Sequence, residues 1–267
     1  ARDPAPRGRD VSLTINSADL RVELDSLYQA AHEPLAPPEC RTQDPNVLRT
    51  LANAARLLQG GTPGAQRPSD LIAVERIVMT SAPGERAGEY WQLLARAQLN
   101  AGHDRDAAVS ALKAAAACDT FAPAHGVAGT ALFRLGQPDA AETHYRRALA
   151  LAPSYLSAAF NLGLIELAHG HTREAIAAFD QVAAVDENYP DLHLARGQAL
   201  LVANQIDRAV ADLERAADQS PSDGKAFFLL GTAYQKAERD RDARRAGCQS
   251  AKLGFAQAKA LCGEAIP

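Results

Sequence analysis

Residues 156–189 read LSAAFNLGLIELAHGHTREAIAAFDQVAAVDENY, and the chain repeats the pattern of this stretch. Aligned with itself at an offset of 34 residues, the sequence shows five consecutive copies without a gap. These copies cover 88–121, 122–155, 156–189, 190–223 and 224–257. We number the positions within a copy as places, so that Gly163 holds place eight of the third copy.

Small side chains recur at fixed places of the five copies. Place eight holds Ala95, Gly129, Gly163, Gly197 and Gly231, and place twenty holds Ala107, Ala141, Ala175, Ala209 and Ala243. Larger residues stand at place twenty-four of the three middle copies, namely Tyr145, Phe179 and Leu213. Small residues at matched places let two helix axes approach to the lower end of the usual packing distance of about 8–10 Å.

Each copy divides into two amphipathic halves joined by a short turn, because its apolar residues recur at spacings of three and four. A single hairpin of this kind cannot bury its apolar face, whereas a stack of hairpins can. With this period, and with Trp91, Leu94 and Ala95 matching W-x2-L-[GA], the chain resembles tetratricopeptide repeat proteins. Pro153 and Pro221 stand where that repeat ends its second helix. The resemblance implies an all-α fold, a right-handed superhelical solenoid of antiparallel helix pairs.

The five tandem copies at 88–257 depart from the repeat pattern at two positions. Arg196 occupies a place that is usually apolar, and Gly247 replaces the large residue of the last second helix. Terminal repeats are often atypical because they have a neighbour on one side only. We therefore expect residues 258–267 to form a capping helix over the last hairpin.

The segment before the copies predicts further helices. Residues 46–87 favour a degenerate hairpin, with an amphipathic helix at 46–59 and a second helix at 68–80. Residues 1–45 form an N-terminal extension and linker. Within it we favour a helix at 18–32 over the alternative, a short β-hairpin around 16–19, and we expect the proline-rich stretch 32–45 to be a rigid linker.

Composition restricts the classes of partner. The net charge of −4, from 28 basic and 32 acidic residues, argues against nucleic acid as a partner because it offers no excess of cations for a phosphate backbone. No apolar run reaches the roughly 18–20 residues that cross a bilayer, so no transmembrane span is expected.

The Ala-initial, Pro/Arg-rich start is typical of a mature exported protein, which favours a periplasmic or secreted location over the cytoplasmic alternative.

The four cysteines suggest two disulfides. Their number is even, and no CxxC or zinc-like spacing with histidine occurs. We expect Cys248 on the last second helix to pair with Cys262 in the cap, and Cys40 to pair with Cys118. Four buried thiols in a cytosolic protein are the alternative.

The candidate partner-binding residues follow from the resemblance. In tetratricopeptide arrays the first helix of each pair lines a concave face, and the corresponding side chains in this chain are apolar in the middle and positive at both ends. They are Gln92, Arg96, Phe133, Arg134, Phe160, Asn161, Leu164, Leu194, Gln198, Leu201, Lys225, Phe228 and Lys236.

An exposed apolar stripe on such a face requires a cover. We expect a segment of another protein, bound by anchors in the groove. The alternatives are the chain's own N-terminal segment, a second copy of the chain in a homo-oligomer, and ordinary core packing.

No pattern of catalysis or of metal binding is present. The sequence lacks GxSxG, HExxH, Walker A and GxGxxG motifs. His169 and His171 flank Gly170 at place fifteen, where the other copies have Gly102, Gly136, Asn204 and Glu238. Glycine and asparagine suit a left-handed turn residue, so these histidines predict a hairpin turn, not a metal site.

A chaperone-tail clamp, the best-known binding site of tetratricopeptide proteins, is not expected. Asn161 matches its central asparagine, but the flanking basic places hold Gly126 and Asp191. Without those cations the charge-assisted bonds to a terminal carboxylate are lost.

The sequence thus predicts a non-catalytic interaction scaffold or assembly factor without a cofactor. The alternative function is a regulatory or structural subunit of a larger complex or enzyme, whose groove is covered by its own N-terminal segment or by self-association.

Overall fold

The computed structural model describes residues 17–30, 33–42, 45–59 and 88–263. These ranges contain helices, short turns and no strand. The chain divides into two compact units, an N-terminal unit at Ala1–Ala124 and a C-terminal unit at His125–Pro267.

The N-terminal unit contains α1 (Ser17–Ala30), α2 (Pro45–Gln59), α3 (Gly88–Asn100) and α4 (Asp104–Ala117). Helix α1 packs on α2, α2 packs on α3, and α3 pairs with α4. The helix expected at 18–32 is confirmed in place of the β-hairpin, since α1 covers most of that range. Helix α2 coincides with the first helix of the predicted degenerate hairpin, and the second helix, at 68–80, lies outside the described residues.

The C-terminal unit continues the series of helices, and α5 begins at the boundary between the units. The helices are α5 (Ala122–Arg134), α6 (Pro138–Leu151), α7 (Leu156–Ala168), α8 (Thr172–Val185), α9 (Leu192–Val202), α10 (Ile206–Gln219), α11 (Gly224–Lys236), α12 (Asp240–Lys252) and α13 (Lys259–Cys262). From α6 to α13 each helix packs against the next one in the chain. The predicted all-α fold of stacked helix pairs is confirmed, because each 34-residue copy contributes one pair.

The close approach of paired helices has a specific cause in the three middle copies. A methyl group added to Gly163 would lie 2.7 Å from Cε1 of Phe179, which is closer than carbon atoms pack. The same juxtaposition of place eight and place twenty-four joins Gly129 to Tyr145 and Gly197 to Leu213. The large residue therefore lies directly on the backbone of the first helix, and this contact sets the spacing of the pair.

In the fifth copy, a residue of the cap fills the space between the paired helices. Gly231 and Gly247 leave a space where the three middle copies have a large side chain, and Leu261 of α13 enters it, with its Cβ 2.5 Å from the Cβ position of Gly247. Cys248 and Cys262 form a disulfide between α12 and α13. Gly247 is thus matched to the cap, whose leucine supplies the volume that the glycine lacks.

Place fifteen is left-handed in all five copies, as predicted. The positive φ values are 78° at Gly102, 74° at Gly136, 82° at Gly170, 57° at Asn204 and 57° at Glu238. Glycine carries no steric penalty in this region, whereas other residues do. The turn between the two helices of a copy is therefore one recurring conformation, and the histidines around Gly170 flank it.

The packing of place eight against place twenty-four predicts the outcome of a double-mutant cycle. We expect Gly163→Ala to destabilise the protein by about 1–3 kcal/mol through overpacking, offset by up to about 1 kcal/mol from helix propensity. In a Phe179→Ala background the added methyl group has room, and the same change should stabilise. The first copy naturally combines Ala95 with Ala111 at these places. Urea denaturation of the four proteins measures the coupling, and equal effects of Gly163→Ala in both backgrounds would contradict it.

Candidate partner-binding surface

In the N-terminal unit, the face of α3 that was predicted to bind a partner is occupied by the chain itself. We call this surface the α3 face; it consists of Glu89, Gln92 and Arg96. The hydroxyl of Tyr28 donates a hydrogen bond to Oε1 of Gln92 at 3.0 Å, and Arg96 donates to Glu33 at 2.5 Å. Gln92 and Arg96 therefore bind this chain's own N-terminal segment, not an external partner.

A third contact completes the cover of the α3 face. The Arg21 guanidinium donates to both carboxylate oxygens of Glu89, at 2.7 and 3.0 Å. Because Glu89 is fully buried, this bidentate pair neutralises a charge that would otherwise be costly inside the unit. Sequence reasoning assigned no role to Arg21, Tyr28 or Glu33, because nothing local marks them as partners of residues more than sixty positions away.

Apolar contacts of α1 accompany these polar ones. Leu20, Leu24 and Tyr28 are almost completely buried at spacings of four residues. The Tyr28 ring meets the edge of Phe121 at a centroid distance of 6.3 Å. Burial raises the pKa of Tyr28 well above its ordinary value, with Glu89 adding to the effect, so its hydroxyl remains a donor. Helix α1 is thus an integral part of the N-terminal unit.

The stretch predicted as a rigid linker is packed into the same unit. Its 3-10 turn at Pro38–Cys40 carries Cys40, which forms a disulfide with Cys118 at the end of α4. Ala36 and Cys40 are buried, and Thr120 donates a hydrogen bond to Glu39 at 2.8 Å. The stretch therefore acts as a strap that holds the segment after α1 against α4.

In the C-terminal unit, the predicted apolar residues lie together and are only partly covered. We call this surface the α7/α9 face; it consists of Phe160 and Leu164 on α7 and of Leu194, Gln198 and Leu201 on α9. Its apolar members all pack in one hydrophobic cluster. Leu201 is buried, whereas the other four are half-buried. The structure thus brings the middle of the predicted groove together and leaves part of it accessible.

An aromatic group strengthens the α7/α9 face at Phe160. Its ring lies 5.6 Å from the buried ring of Phe179 and 5.2 Å from that of Tyr189. Tyr189 holds the last place of the third copy and was not predicted for the site. Sequence reasoning restricted the groove to first helices and therefore missed a residue in the connection between two copies.

The remaining predicted residues lie on the neighbouring first helices or serve locally. Phe133 is half-buried on α5, and the ring of Phe228 on α11 packs at 5.1 Å from Phe255. The exposed cations are Arg134 on α5 and Lys225 and Lys236 on α11. Asn161 donates its side-chain amide to the carbonyl of Ser157 at 2.8 Å, one turn earlier in its own helix.

The unusual Arg196 belongs to a buried charge network inside the C-terminal unit. It donates to both oxygens of Asp212 at 2.7 and 2.8 Å and to Asp180 at 2.9 Å. Nδ1 of the buried His193 lies 3.1 Å from the same Asp212. The hydrogen bond to Asp212 raises the pKa of Arg196. Arginine at this place is therefore matched by an aspartate on the paired helix, where the third copy has Leu162 and Ala178.

Around the turn of the third copy, the two histidines contact different acids. Nδ1 of His171 lies 2.8 Å from the buried carboxylate of Glu166, which also accepts from Arg146 at 2.5 Å. His169 lies 3.6 Å from Glu142. Within the part of the chain that the structure describes, no group of three or more potential ligands is placed to hold a metal ion.

Comparison with known proteins agrees with this arrangement of helices. The tetratricopeptide repeat model matches residues 127–193 and 194–258. This part of the chain carries tetratricopeptide repeats. Among curated proteins no sequence matches the chain.

Solved structures of MamA share the fold of the tetratricopeptide stretch. MamA 41-end from Desulfovibrio magneticus RS-1 superposes with a TM-score of 0.57 at 19% identity, covering 66% of this chain and 99% of that one. The structure titled MamA MSR-1 C2 gives 0.55 at 20% identity over 62% and 96% of the two chains. At such identities the likeness concerns the fold alone. Among the described helices, none has both the length and the apolar character that a bilayer crossing requires.

The Arg196 network predicts that one substitution is harmful and that a second one repairs it. Arg196→Leu alone should cost about 3–5 kcal/mol, because it leaves the buried Asp212 without its cation. Combining it with Asp212→Ala recreates the Leu–Ala pair of the third copy and should restore stability to within about 1–2 kcal/mol, the remainder reflecting the lost contact of His193. Thermal or urea unfolding measures all three proteins.

A matched control for this prediction is Arg215→Leu. Arg215 forms an ion pair with Glu187 in which both side chains are more than half exposed. Exposed pairs of this kind contribute roughly 0–1 kcal/mol. If the double variant were as unstable as Arg196→Leu alone, the proposed exchange of a charge pair for an apolar pair would be wrong.

Proposed function

We propose that this protein is a non-catalytic interaction scaffold whose C-terminal unit binds a segment of another protein on the α7/α9 face. The observation that carries the proposal is the half-buried apolar cluster of Phe160, Leu164 and Leu194 on neighbouring first helices. Exposed apolar surface that is continuous with a core is typical of recognition sites. The tetratricopeptide repeats support the proposal, because the resemblance implies protein partners for this fold.

Of the residues on the α7/α9 face, Phe160 should contribute most to the free energy of binding. Aromatic side chains dominate binding energy because they bury a large area with few rotatable bonds. The ring of Phe160 is supported from behind by Phe179 and flanked by Tyr189, so a partner side chain meets a preformed aromatic surface. Preorganisation of this kind reduces the entropic cost of association.

Among the residues that the structure describes, those of the N-terminal unit support the alternative of self-cover. There, Arg21, Tyr28 and Glu33 occupy the α3 face, so this part of the array serves as a structural support. We propose that the two units divide the roles, with the N-terminal face closed by its own chain and the C-terminal face used for binding.

A substitution at Phe160 tests the scaffold proposal. We expect Phe160→Glu to abolish capture of partners that the wild-type protein retains, because it puts a charge at the centre of the apolar contact. The measurement is affinity purification from the source organism, followed by mass spectrometry. Since Phe160 touches the core residue Phe179, circular dichroism and thermal unfolding must show that the variant is folded, and Leu194→Glu serves as an independent second variant.

The matched control is Val185→Glu at the end of α8, a second helix. Val185 is 59% exposed, lies on a second helix and is not a member of the α7/α9 face, so this change adds the same charge outside the proposed surface. It should retain every partner. Folded variants of Phe160 and Leu194 that still retain all partners would overturn the proposed site.

We further propose that the protein works in an oxidising compartment, such as the periplasm or the exterior of the cell. Support comes from the cysteines, since all four are paired in the structure and none is free. The bridges close loops of 78 and 14 residues in sequence separation, and the chain-entropy model assigns such loops about 3–5 kcal/mol each.

Thiol titration tests the redox state directly. Protein isolated with alkylating agent present and then denatured without reductant should show no free thiol. Reduction should lower the midpoint of thermal unfolding, with the Cys248→Ser/Cys262→Ser variant isolating the contribution of the C-terminal bridge. Four reactive thiols in the untreated protein would refute the oxidising location.

A further inference from the structure

The two disulfides differ in how far solvent reaches them. Cys40 and Cys118 are both buried, and the hydroxyl oxygen of Thr120 lies 3.7 and 3.5 Å from their sulfur atoms. Cys248 and Cys262 are both half-buried. Thiol–disulfide exchange begins when a thiolate attacks a disulfide sulfur, so the reaction requires access to that sulfur. Exposure therefore favours exchange at the C-terminal bridge over exchange at the N-terminal one.

A cavity between α11 and α12 provides a route to the C-terminal bridge. Its volume of about 400 Å³ lies in the range of small-molecule sites. Phe227 and Leu230 of α11 contribute apolar walls, and Cys248 of α12 lines the cavity, whereas its partner Cys262 is not part of the lining. A small molecule that enters the cavity therefore meets Cys248 on a side that Cys262 does not cover.

Two cations flank Cys248 in this cavity. Arg245 and Lys252 are exposed, line the cavity and stand three positions before and four positions after Cys248. Residues at these spacings are neighbours on the surface of a helix. The attacking group in exchange is an anionic thiolate, and reactive cysteines are typically found in electropositive, partly exposed surroundings. The cations therefore raise the local concentration of thiolate at Cys248.

The acidic groups at the cavity do not reverse this charge. Asp242 is part of the lining and accepts hydrogen bonds from Arg239 at 2.9 Å and from Arg245 at 2.6 Å. Glu214 of α10 lies 3.8 Å from Arg239. Together with Lys252, the two arginines make three cations against these two acids. Lys252 is therefore the cation left over when each acid is matched with an arginine.

The C-terminal bridge attaches a cap that makes few buried contacts of its own. The cap consists of a 3-10 turn at Ala256–Ala258 and the four-residue helix α13. Ala258 is buried, and the half-buried Leu261 enters the space beside Gly247. A helix of one turn is unstable without tertiary contacts. The covalent bond from Cys248 to Cys262 is therefore a main attachment of the cap to α12.

We propose that Cys248–Cys262 is an exchange-active disulfide that reacts, through this cavity, with a small thiol carrying carboxylate groups, and that its cleavage releases the cap. The bridge of Cys40 and Cys118 is structural. In the oxidising compartment proposed above, the cap stays attached until such a thiol is present.

The exchange takes place in two steps that require no other reactant. The thiolate of one reagent molecule attacks Sγ of Cys248 and forms a mixed disulfide, while Cys262 leaves as a thiolate and takes up a proton. The thiolate of a second molecule attacks the reagent sulfur of the mixed disulfide, and Cys248 leaves in the same way. Two reagent thiols are thereby oxidised to one disulfide, and the two electrons reduce the protein disulfide to two thiols.

Reaction of the folded protein with two small thiols tests the proposal. Glutathione carries carboxylates and a net negative charge, and cysteamine carries an amine and a positive charge. After quenching with N-ethylmaleimide and digestion, mass spectrometry follows each bridge and locates the first mixed disulfide. Rates for the protein unfolded in urea correct for the intrinsic reactivity of the two reagents.

We expect Cys248–Cys262 to react about tenfold faster than Cys40–Cys118 or more, with the first adduct on Cys248. After correction, glutathione should react faster than cysteamine, and added salt should reduce this difference. Lys252→Glu should slow the reaction with glutathione several-fold and accelerate the reaction with cysteamine. The matched control is Arg241→Glu, which makes the same charge change at an exposed residue of α12 outside the cavity lining and should leave both rates unchanged.

Hydrogen–deuterium exchange measures the release of the cap. Cleavage of the C-terminal bridge should accelerate amide exchange in residues 255–263, and the Cys248→Ser/Cys262→Ser variant should show the same fast exchange. Helix α7 should keep its protection in both cases, which demonstrates that the array remains folded.

Three results would overturn the proposal or a defined part of it. Equal rates at the two bridges, or no reaction of either bridge in the folded protein, would refute an exchange-active disulfide. A first adduct on Cys262, or an unchanged rate in Lys252→Glu, would refute attack through the cavity. Cap amides that remain protected after cleavage would refute the release of the cap.

Discussion

In the three middle copies, the spacing of the paired helices depends on the contact of a large side chain with a bare stretch of helix backbone. At Gly163, the missing side chain lets Phe179 lie against the first helix, and the same contact joins Gly129 to Tyr145. Because the two helices would clash if they came closer and would lose the contact if they moved apart, it sets the geometry of these three pairs. Repeated at intervals of 34 residues, it places successive first helices side by side, and their remaining side chains form the α7/α9 face.

The departures from the repeat are compensated within the fold. Arg196 is tolerated at a normally apolar place because Asp212 on the paired helix receives its charge. Gly247 is tolerated because Leu261 of the cap occupies the space beside it. In both cases the compensating residue lies on a different helix. An irregular residue in this array therefore has a compensating residue on another helix. Replacing one of the two alone measures the cost of an unmatched partner, not the net contribution of the pair to stability.

The same physical requirement, that apolar surface be covered, has different outcomes in the two units. On the α3 face, Tyr28 donates a hydrogen bond to Oε1 of the buried Gln92, and Arg21 pairs with the buried Glu89, so this surface is closed. On the α7/α9 face, Phe160 is supported from behind but remains half-buried. This difference in cover is the reason why we propose a structural role for the first surface and a binding role for the second.

The period of the sequence was sufficient to predict the helices, their pairing and the left-handed turn at Gly170, because these features depend on local spacing and on contacts within one copy. The apolar centre of the candidate site, Phe160 with Leu164 and Leu194, was predictable for the same reason. The occupation of Gln92 and Arg96 by Tyr28 and Glu33 was not predictable, since it depends on contacts between segments more than sixty residues apart. Side-chain pattern specifies which faces a helix can bury, but the path of the chain in three dimensions determines which of those faces it covers itself.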